Sequence, residues 1–413
     1  MNSKKNDKNI NVNGQYFTKN PILQQKIYEF IHNNNQSIIE ILEPCVGRGD
    51  LVKYIRDIQC NQNNKDNQDT NKTKYIFDMY ELDDKIEFII DKNEIKFGDF
   101  LLAKINKKYK TIIGNQPYIQ RKKNINTYIA FIEKCYELLE DNGELIFIVP
   151  SDFFKLTSSK NILNKMTNNG HFTHIFHPHN EKLFENAAID VLIFRYQHGE
   201  FENKITVYND ENTLLQNSNG IITFINISNT NDINHNQTFS QLFDIYVGLV
   251  SGKDKIFKNN TFGNINVLCD EGLIQKWIYL NEFPKEEREQ DRDLINYLNS
   301  HKQELISRKI RKFTDKNWFQ LGAPRNITIM EQLNTTKEKC IYVRTITRKN
   351  KIAFIGECGY FGGGLLMLKP KNNNINLENI INYLNSDEFK KNFMYSGRFK
   401  IGHNQLSNTL FIA

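Results

Sequence analysis

Residues Glu40–Leu51 read EILEPCVGRGDL. An apolar run ends in an acid and a proline, two glycines follow, and Asp50 opens an apolar helical pattern. That is the form of a strand, a tight turn and a helix start, with Asp50 a candidate N-cap. Gly47 and Gly49 let the backbone approach a ligand where a Cβ would clash. The pair does not name the ligand. A dinucleotide fingerprint needs a third glycine, which Leu51 and Val52 do not supply, so a nicotinamide enzyme is the second choice for this turn.

Outward from this turn, strands and helices alternate through the first half. SIIEILEP (37–44), KYIFDMYELD (74–83), TIIGNQP (111–117), GELIFIVP (143–150), THIFH (173–177) and AAIDVLIFRY (187–196) read as strands. PILQQKIYEFI (21–31), DLVKYIRDI (50–58) and YIAFIEKCYELLEDNG (128–143) read as helices, the last stopped by Gly143. Near-continuous apolar strands joined by helices imply a mostly parallel sheet covered on both faces. In such a sheet, ligands sit at the carboxyl ends of the strands.

Three further strand ends carry polar groups. In YELDD (80–84), Glu81 is placed to accept hydrogen bonds from a ribose diol. In FGDFL (97–101), Asp99 suits an exocyclic amine, or equally a helix N-cap. GNQPY (114–118) sets an amide and a ring at the end of a buried strand. The order and spacing of the four motifs is a stronger signal than any one of them.

In that order they resemble the gamma-class, Taq-type N6-adenine DNA methyltransferases. GQYFT (14–18) is similar to that family's N-terminal cofactor motif, and EPCVGRGD, YELD and GDFL to its first three sheet motifs. NQPY resembles its catalytic Asn-Pro-Pro-Tyr. LFENAAIDVLIFRY (183–196) is similar to the later strand whose leading aromatic lines the base pocket. VGLVSGKDKIF (247–257) and SGRFKIGHNQL (396–406) resemble its target-recognition domain.

The resemblance implies an α/β, Rossmann-like S-adenosylmethionine-dependent methyltransferase domain with a mostly parallel seven-stranded sheet. A C-terminal mixed α+β target-recognition domain would follow, with bounds at 1–238 and 239–413. It implies cofactor contacts from Thr18, Glu43, Pro44, Cys45, Gly47, Gly49, Glu81 and Asp99. The catalytic set would be Asn115, Gln116, Pro117 and Tyr118, and the base pocket Tyr118 and Phe184.

The chemistry gives those residue types a reason. The N6 lone pair of adenine is delocalised into the ring, so the nitrogen is a poor nucleophile. Two acceptors for its N–H groups, the Asn115 side-chain oxygen and the carbonyl of residue 116, make it more electron-rich. Preorganised acceptors of this kind are worth about 2–4 kcal/mol each, by analogy with oxyanion donors. The base has to be flipped out of the duplex to be reached, and Tyr118 offers a stacking face worth roughly 1–3 kcal/mol. Gln116 departs from the family's proline: it keeps the carbonyl but frees φ and restores an N–H.

The 413 residues carry a net charge of +6, unevenly spread. Residues 1–240 hold 28 Lys+Arg against 30 Asp+Glu, whereas 241–413 hold 26 against 18. Residues 301–351 alone hold 13 basic and 4 acidic side chains, the footprint of a polyanion-binding surface. SRKIRK (307–312) and RTITRKNK (344–351) lead the candidates for backbone contacts on double-stranded DNA. The residues are Arg308, Lys309, Arg311, Lys312, Arg325, Arg344, Arg348, Lys349, Lys351, Arg398 and Lys400.

The six cysteines are scattered without a C-x-x-C pair, against a disulfide framework and a zinc ribbon. Cys45 lies on the cofactor turn with no activating neighbour and reads as a packing residue. HFTHIFHPH (171–179) would place His171, His177 and His179 on one strand face, with no acid or thiol at metal-ligand spacing, so no metal is expected. MNSKKNDKNINVN has no apolar core and no apolar run reaches membrane length, so a cytoplasmic protein without a membrane partner is expected.

These readings combine into a monomeric, site-specific DNA adenine-N6 methyltransferase of a restriction-modification system, with a companion endonuclease acting separately. The alternatives are methyl transfer to RNA adenine or to a protein glutamine amide. A further one is a DNA-binding homologue impaired by Gln116.

Overall fold

Leu145, Phe147 and Val149 point to one side of their strand and Ile146 and Ile148 to the other, and all five are fully enclosed. A strand buried on both faces has to be apolar at every position, and it needs helices above and below. The computed structural model of the chain describes residues 16–31, 38–65, 74–121, 125–185, 187–202, 204–218, 220–226, 237–346, 351–387, 389 and 401–411. The chain divides into two compact units with the boundary between Thr230 and Asn231.

The first unit runs α1 (Pro21–Phe30), β1 (Ile38–Glu43), α2 (Asp50–Lys65), β2 (Lys74–Glu81), β3 (Ile95–Phe97) and β4 (Tyr109–Asn115). A ribbon of β5 (Gln120–Arg121) and β6 (Ile125–Asn126) leads to α3 (Thr127–Glu137) and β7 (Leu139–Pro150). Then come α4 (Lys160–Asn168), β8 (Gly170–Phe176), β9 (Val191–His198), β10 (Ile205–Tyr208), β11 (Glu211–Ser218) and β12 (Ile221–Asn226). The main sheet has the order β12-β11-β10-β8-β9-β7-β4-β1-β2-β3. Neighbours from β3 through β7 are parallel, and β9 is antiparallel to both β7 and β8.

β3 through β8 make the seven-stranded core expected from the sequence. β10, β11 and β12 widen it to ten, an extension that the polar pattern ENTLLQNS does not announce. One face of the sheet packs Leu145, Phe147 and Val149 against Ile129, Ile132 and Cys135 of α3 and Leu163 of α4. The other packs Ile146 and Ile148 with Leu23 and Ile27 of α1 and Val52 and Ile55 of α2. Each such side chain contributes roughly 1.5–3 kcal/mol on burial. Asn20 caps α1 through its side chain, which accepts the Ile22 N–H at 3.0 Å, and Pro21 holds the first helical position.

Two local readings are corrected. α3 stops at Glu137 rather than at Gly143, because Leu139 already pairs with Tyr109 of β4. The ladder then shifts register before Thr111 meets Glu144, and Asn142 takes φ +56° in the bulge. Asp50 is the first residue of α2 rather than its cap; Gly49 supplies the carbonyl that accepts the Lys53 N–H at 2.9 Å.

The second unit holds a four-stranded antiparallel sheet of β14 (Phe243–Val247), β19 (Leu365–Pro370), β17 (Lys339–Arg344) and β18 (Ala353–Glu357), in that order. A hairpin, β15 (Ile265–Asp270) and β16 (Leu273–Trp277), and a short pair, β13 (Gln237–Thr238) with β20 (Leu410–Phe411), accompany it. Its longer helices are α5 (Glu289–Ser300), α6 (Ile327–Thr336) and α7 (Leu377–Asn385). α5 ends at Ser300, and a short helical stretch, Lys302–Ile306, follows His301.

Candidate active site

Glu43, Glu81 and Asn115 are the last residues of three parallel strands, β1, β2 and β4, and Asp99 follows β3 by two residues. The parallel register alone therefore brings four separate motifs to one edge of the sheet. The turn after β1 is tied to the end of β2: Val46 N–H donates to the Tyr80 carbonyl at 2.9 Å, and Gly47 N–H to Glu81 Oε2 at 2.8 Å. Gly47 has φ +56°, and a Cβ there would press 3.2 Å from the Phe17 ring. Gly49 ends the turn against Ile90.

Two adjoining cavities, open to solvent, follow this edge. One is lined by Tyr16, Thr18, Glu43, Gly47, Asp50 and Asn115 among others. The second is lined by Pro44, Asp83, Asp99, Phe100, Ile119 and Phe131 among others. Cys45, Glu81 and Pro117 belong to both, so the two form one elongated cleft with Glu81 near its middle.

The electrostatics differ along the cleft. Glu43 is 2 % exposed, and burial pushes its carboxyl well above the usual range. The Cys45 N–H, 3.3 Å from Oε1, opposes that rise, and the nearby Glu81 charge adds to it. Glu81 is also raised by burial, against the backbone N–H groups of Asp83, Gly47 and Leu82. Burial and the two carboxylates push the Cys45 thiol up, which suits a packing residue and not a nucleophile. Asp99 Oδ1 accepts the Leu101 N–H at 3.0 Å and so closes a turn; no helix follows it, so the N-cap alternative does not hold, and the residue lines the cleft.

At the end of β4 the Asn115 amide is held from both sides. Its Nδ2 donates to the Tyr16 carbonyl at 2.7 Å and to Thr18 Oγ1 at 3.1 Å. Its Oδ1 accepts the Tyr118 hydroxyl at 2.6 Å, and that hydroxyl also lies 3.3 Å from the Ile148 carbonyl. Gln116 is buried, and among the described residues neither polar atom of its side-chain amide has a hydrogen-bond partner. Tyr16 was not singled out in the sequence, yet its ring stacks on Tyr118 with centroids 5.6 Å apart at 26°. It also lies 5.6 Å from Phe184, tilted by 47°, and so joins the two expected base-pocket aromatics. Its place two residues ahead of Thr18 in GQYFT is the available signal.

Of the three histidines, His177 and His179 come together, their ring centroids 3.9 Å apart, with His177 Nε2 2.9 Å from Asp190 Oδ1 and His179 at φ +52° beyond the strand. His171 is apart from them, bonded to the Ile205 carbonyl at 2.7 Å, with a register shift of β8 between it and the other two.

In the second unit the basic candidates sort by burial. Arg308 is corrected from a DNA contact to a core residue. It is enclosed, donates to the carbonyls of Leu305, Ser251, Trp318 and Gln320, and lies 3.9 Å over the Phe313 ring. Burial and the Arg311 charge lower its pKa to about 10. Arg344 is likewise engaged, by Asp270 at 2.6 Å, Glu271 and the Lys351 carbonyl, while Lys351 pairs with Glu271 at 2.6 Å. Arg311 is exposed but shares its guanidinium with Gln320 and the Leu321 carbonyl. Lys309, Lys312 and Arg325 are exposed. Arg348, Lys349, Arg398 and Lys400 lie outside the described residues.

Residues 50–184 match the family described as Eco57I restriction-modification methylase. The chain is 26 % identical over 295 residues to the Type II methyltransferase M.HindII of Haemophilus influenzae (strain ATCC 51907 / DSM 11121 / KW20 / Rd), over 63 % of this chain and 52 % of that protein. It is 29 % identical over 220 residues to the Type II methyltransferase M.HincII of Haemophilus influenzae, over 48 % of this chain and 39 % of that protein. The chain thus spans about half the length of the curated relatives it matches. Among solved structures, the Type IIL restriction-modification enzyme MmeI in complex with DNA shares the fold, with a TM-score of 0.54 at 12 % identity, over 95 % of this chain and 64 % of that one.

Proposed function

Since this chain is a relative of the restriction-modification methylases with the fold of the S-adenosylmethionine-dependent methyltransferases, we propose that it methylates N6 of an adenine flipped out of double-stranded DNA. The observation that carries this reading is the Asn115 amide at the end of β4, beside Tyr118 and at the mouth of the cleft of Glu43 and Glu81.

The residues of the cleft fit S-adenosylmethionine. At one end Glu43 is an enclosed carboxyl with no cation paired to it among the described residues, which suits an α-ammonium group. Thr18 and the Cys45–Gly49 turn would hold the rest of the amino-acid end, with the bare Gly47 packed close to the Phe17 ring. Glu81 would take the ribose diol. Asp99, among Phe100, Ile119 and Phe131, would take an exocyclic amine on an apolar-walled purine site. When bound, S-adenosylmethionine supplies an electrophilic methyl group on its sulfonium.

The chain's own groups prepare the nucleophile. Asn115 Oδ1 accepts one N6–H in place of the Tyr118 hydroxyl, which keeps the Ile148 carbonyl as its partner. The Gln116 carbonyl accepts the other. Positive charge that develops on N6 then meets two fixed acceptors, and no covalent enzyme intermediate is needed. Tyr118 and Phe184 hold the ring, while the exposed Lys309, Lys312 and Arg325 contact phosphates. Residues 1–238 would form the catalytic domain and 239–413 the recognition domain of a monomer, with any companion endonuclease acting separately. Among the described residues no helix is long and apolar enough to cross a membrane.

The test is expression in a methylation-deficient host followed by a genome-wide map of N6-methyladenine, with Asn115→Ala as control. A single short motif, modified by the wild type and not by Asn115→Ala, is expected. Identical maps would overturn the reading. Purified protein offered duplex DNA, RNA and protein with labelled donor separates the three substrate classes.

A further inference from the structure

Gln116 is 1 % exposed, yet among the described residues neither Oε1 nor Nε2 of its side chain has a hydrogen-bond partner. An enclosed amide left unpaired is costly. A proline at this position, as in the family that the motif resembles, would carry no such cost. The location of the amide suggests its use. A Cβ built on Gly114 would collide with Gln116 Nε2 and would lie 2.7 Å from Glu43 Oε1. The donor and the carboxylate oxygen therefore converge over one bare α-carbon.

Glu43 is poorly served where it stands. Among the described residues its Oε1 accepts one N–H, from Cys45 at 3.3 Å. Among the described residues, the ionisable groups that act on it or share its cavity are anionic or neutral: Glu81 from β2, Cys45 from the turn, Cys135 from α3, Asp50 from α2 and Tyr16 from the segment before α1. Arg48, the nearest cation of that turn, lies 3.9 Å from Asp50.

We propose that Gln116 is a positioning residue for Glu43, its side-chain amide donating to the ionised carboxylate and holding it toward the α-ammonium group of the cofactor. The inference rests on the cofactor assignment above. It gives the substitution in NQPY a purpose at the cofactor end of the site, while the carbonyl of residue 116 keeps its purpose at the base end. A donor onto a carboxylate is charge-assisted, about twice as strong as a neutral hydrogen bond, and it forms by rotation of side chains without main-chain movement. It also favours the ionised form of Glu43, so cofactor binding draws on a carboxylate that is easier to ionise.

The experiment is calorimetric titration of the full chain with S-adenosylhomocysteine, which keeps the α-ammonium and cannot donate methyl. Wild type, Gln116→Met and Gln116→Pro are compared from pH 6 to pH 9, with the Tm of each cofactor-free protein. Methionine preserves the length of the side chain and removes the donor. The expected result is an affinity loss of about 10-fold or more at pH 7 in Gln116→Met. The pH below which affinity falls should move upward in that variant. Its cofactor-free Tm should stay equal or rise, because the unpaired amide is gone, and in turnover the loss should fall mainly on the cofactor's KM. Unchanged affinity across the pH range in Gln116→Met overturns the inference and leaves the cofactor assignment standing. Affinity and Tm that fall together overturn it in favour of a purely structural role. Wild type that binds no S-adenosylhomocysteine overturns the cofactor assignment, and this inference with it.

Discussion

Replacing Tyr16 by alanine tests whether its ring holds the place of the target base. The Tyr16 and Tyr118 centroids are 5.6 Å apart at 26°. Stacked carbon layers sit about 3.5 Å apart, so a base between the two rings needs about 7 Å. Tyr16 therefore has to leave before a flipped adenine can lie on Tyr118. Its ring makes two aromatic contacts, with Tyr118 and Phe184, each worth about 0.5–1.5 kcal/mol beyond area. Displacement of the side chain thus costs about 1–3 kcal/mol, and alanine removes that cost while its carbonyl can still accept from Asn115 Nδ2. Binding to a duplex carrying 2-aminopurine at the target adenine should tighten about 5- to 150-fold. The bound-state emission should show a larger flipped fraction wherever the wild type is not already fully flipped. Weaker binding in Tyr16→Ala, with kcat reduced by a similar factor, would refute the reasoning and make the ring a support for the base.

Two contrasts follow from the second unit and the cleft. Arg308→Met should lower stability by about 3–5 kcal/mol, since four carbonyls lose a buried charged donor. Lys309→Ala and Lys312→Ala should leave the Tm in place and each reduce the salt slope of DNA binding by about 1; equal effects of all three on the slope would restore Arg308 as a phosphate contact. Glu43 has a raised carboxyl, so between the ordinary glutamate range and that raised value the folded chain binds the extra proton. Stability from this group is therefore fully present below the ordinary range, declines as pH rises through the window and stays lost above it. Glu43→Gln should raise the Tm of the cofactor-free protein above pH 7, by a margin that closes toward pH 4, and should abolish S-adenosylhomocysteine binding. A margin that grows on acidification would mean that Glu43 is paired with a cation after all.

What the sequence could declare was anything fixed by periodicity along one strand. ELIFIVP is apolar at every step because both faces are covered, and the ends of such strands mark the ligand edge without knowledge of which strands adjoin. Motifs tens of residues apart met at that edge because parallel register leaves them no other place. Groups whose role depends on a partner far along the chain were hidden. Arg308 reads as one more basic residue in SRKIRK until Ser251, Trp318 and Gln320 close around it. The same holds for Tyr16, which acquires meaning from Tyr118 and Phe184, and for the polar β11, which joins the sheet through β10 at the edge that β8 offers. Gln116 joins both kinds. Its backbone role follows from its position after Asn115, but its side chain can be interpreted only beside Glu43, 73 positions earlier in the chain. A residue that breaks a local motif and is then buried without a partner has two possible explanations, a defect tolerated or a donor kept for a ligand-bound state. An exposed amide would favour the first. An enclosed one, converging over a glycine with a carboxylate that no cation pairs among the described residues, favours the second, because isosteric apolar replacements such as methionine would have removed its cost at no loss of packing.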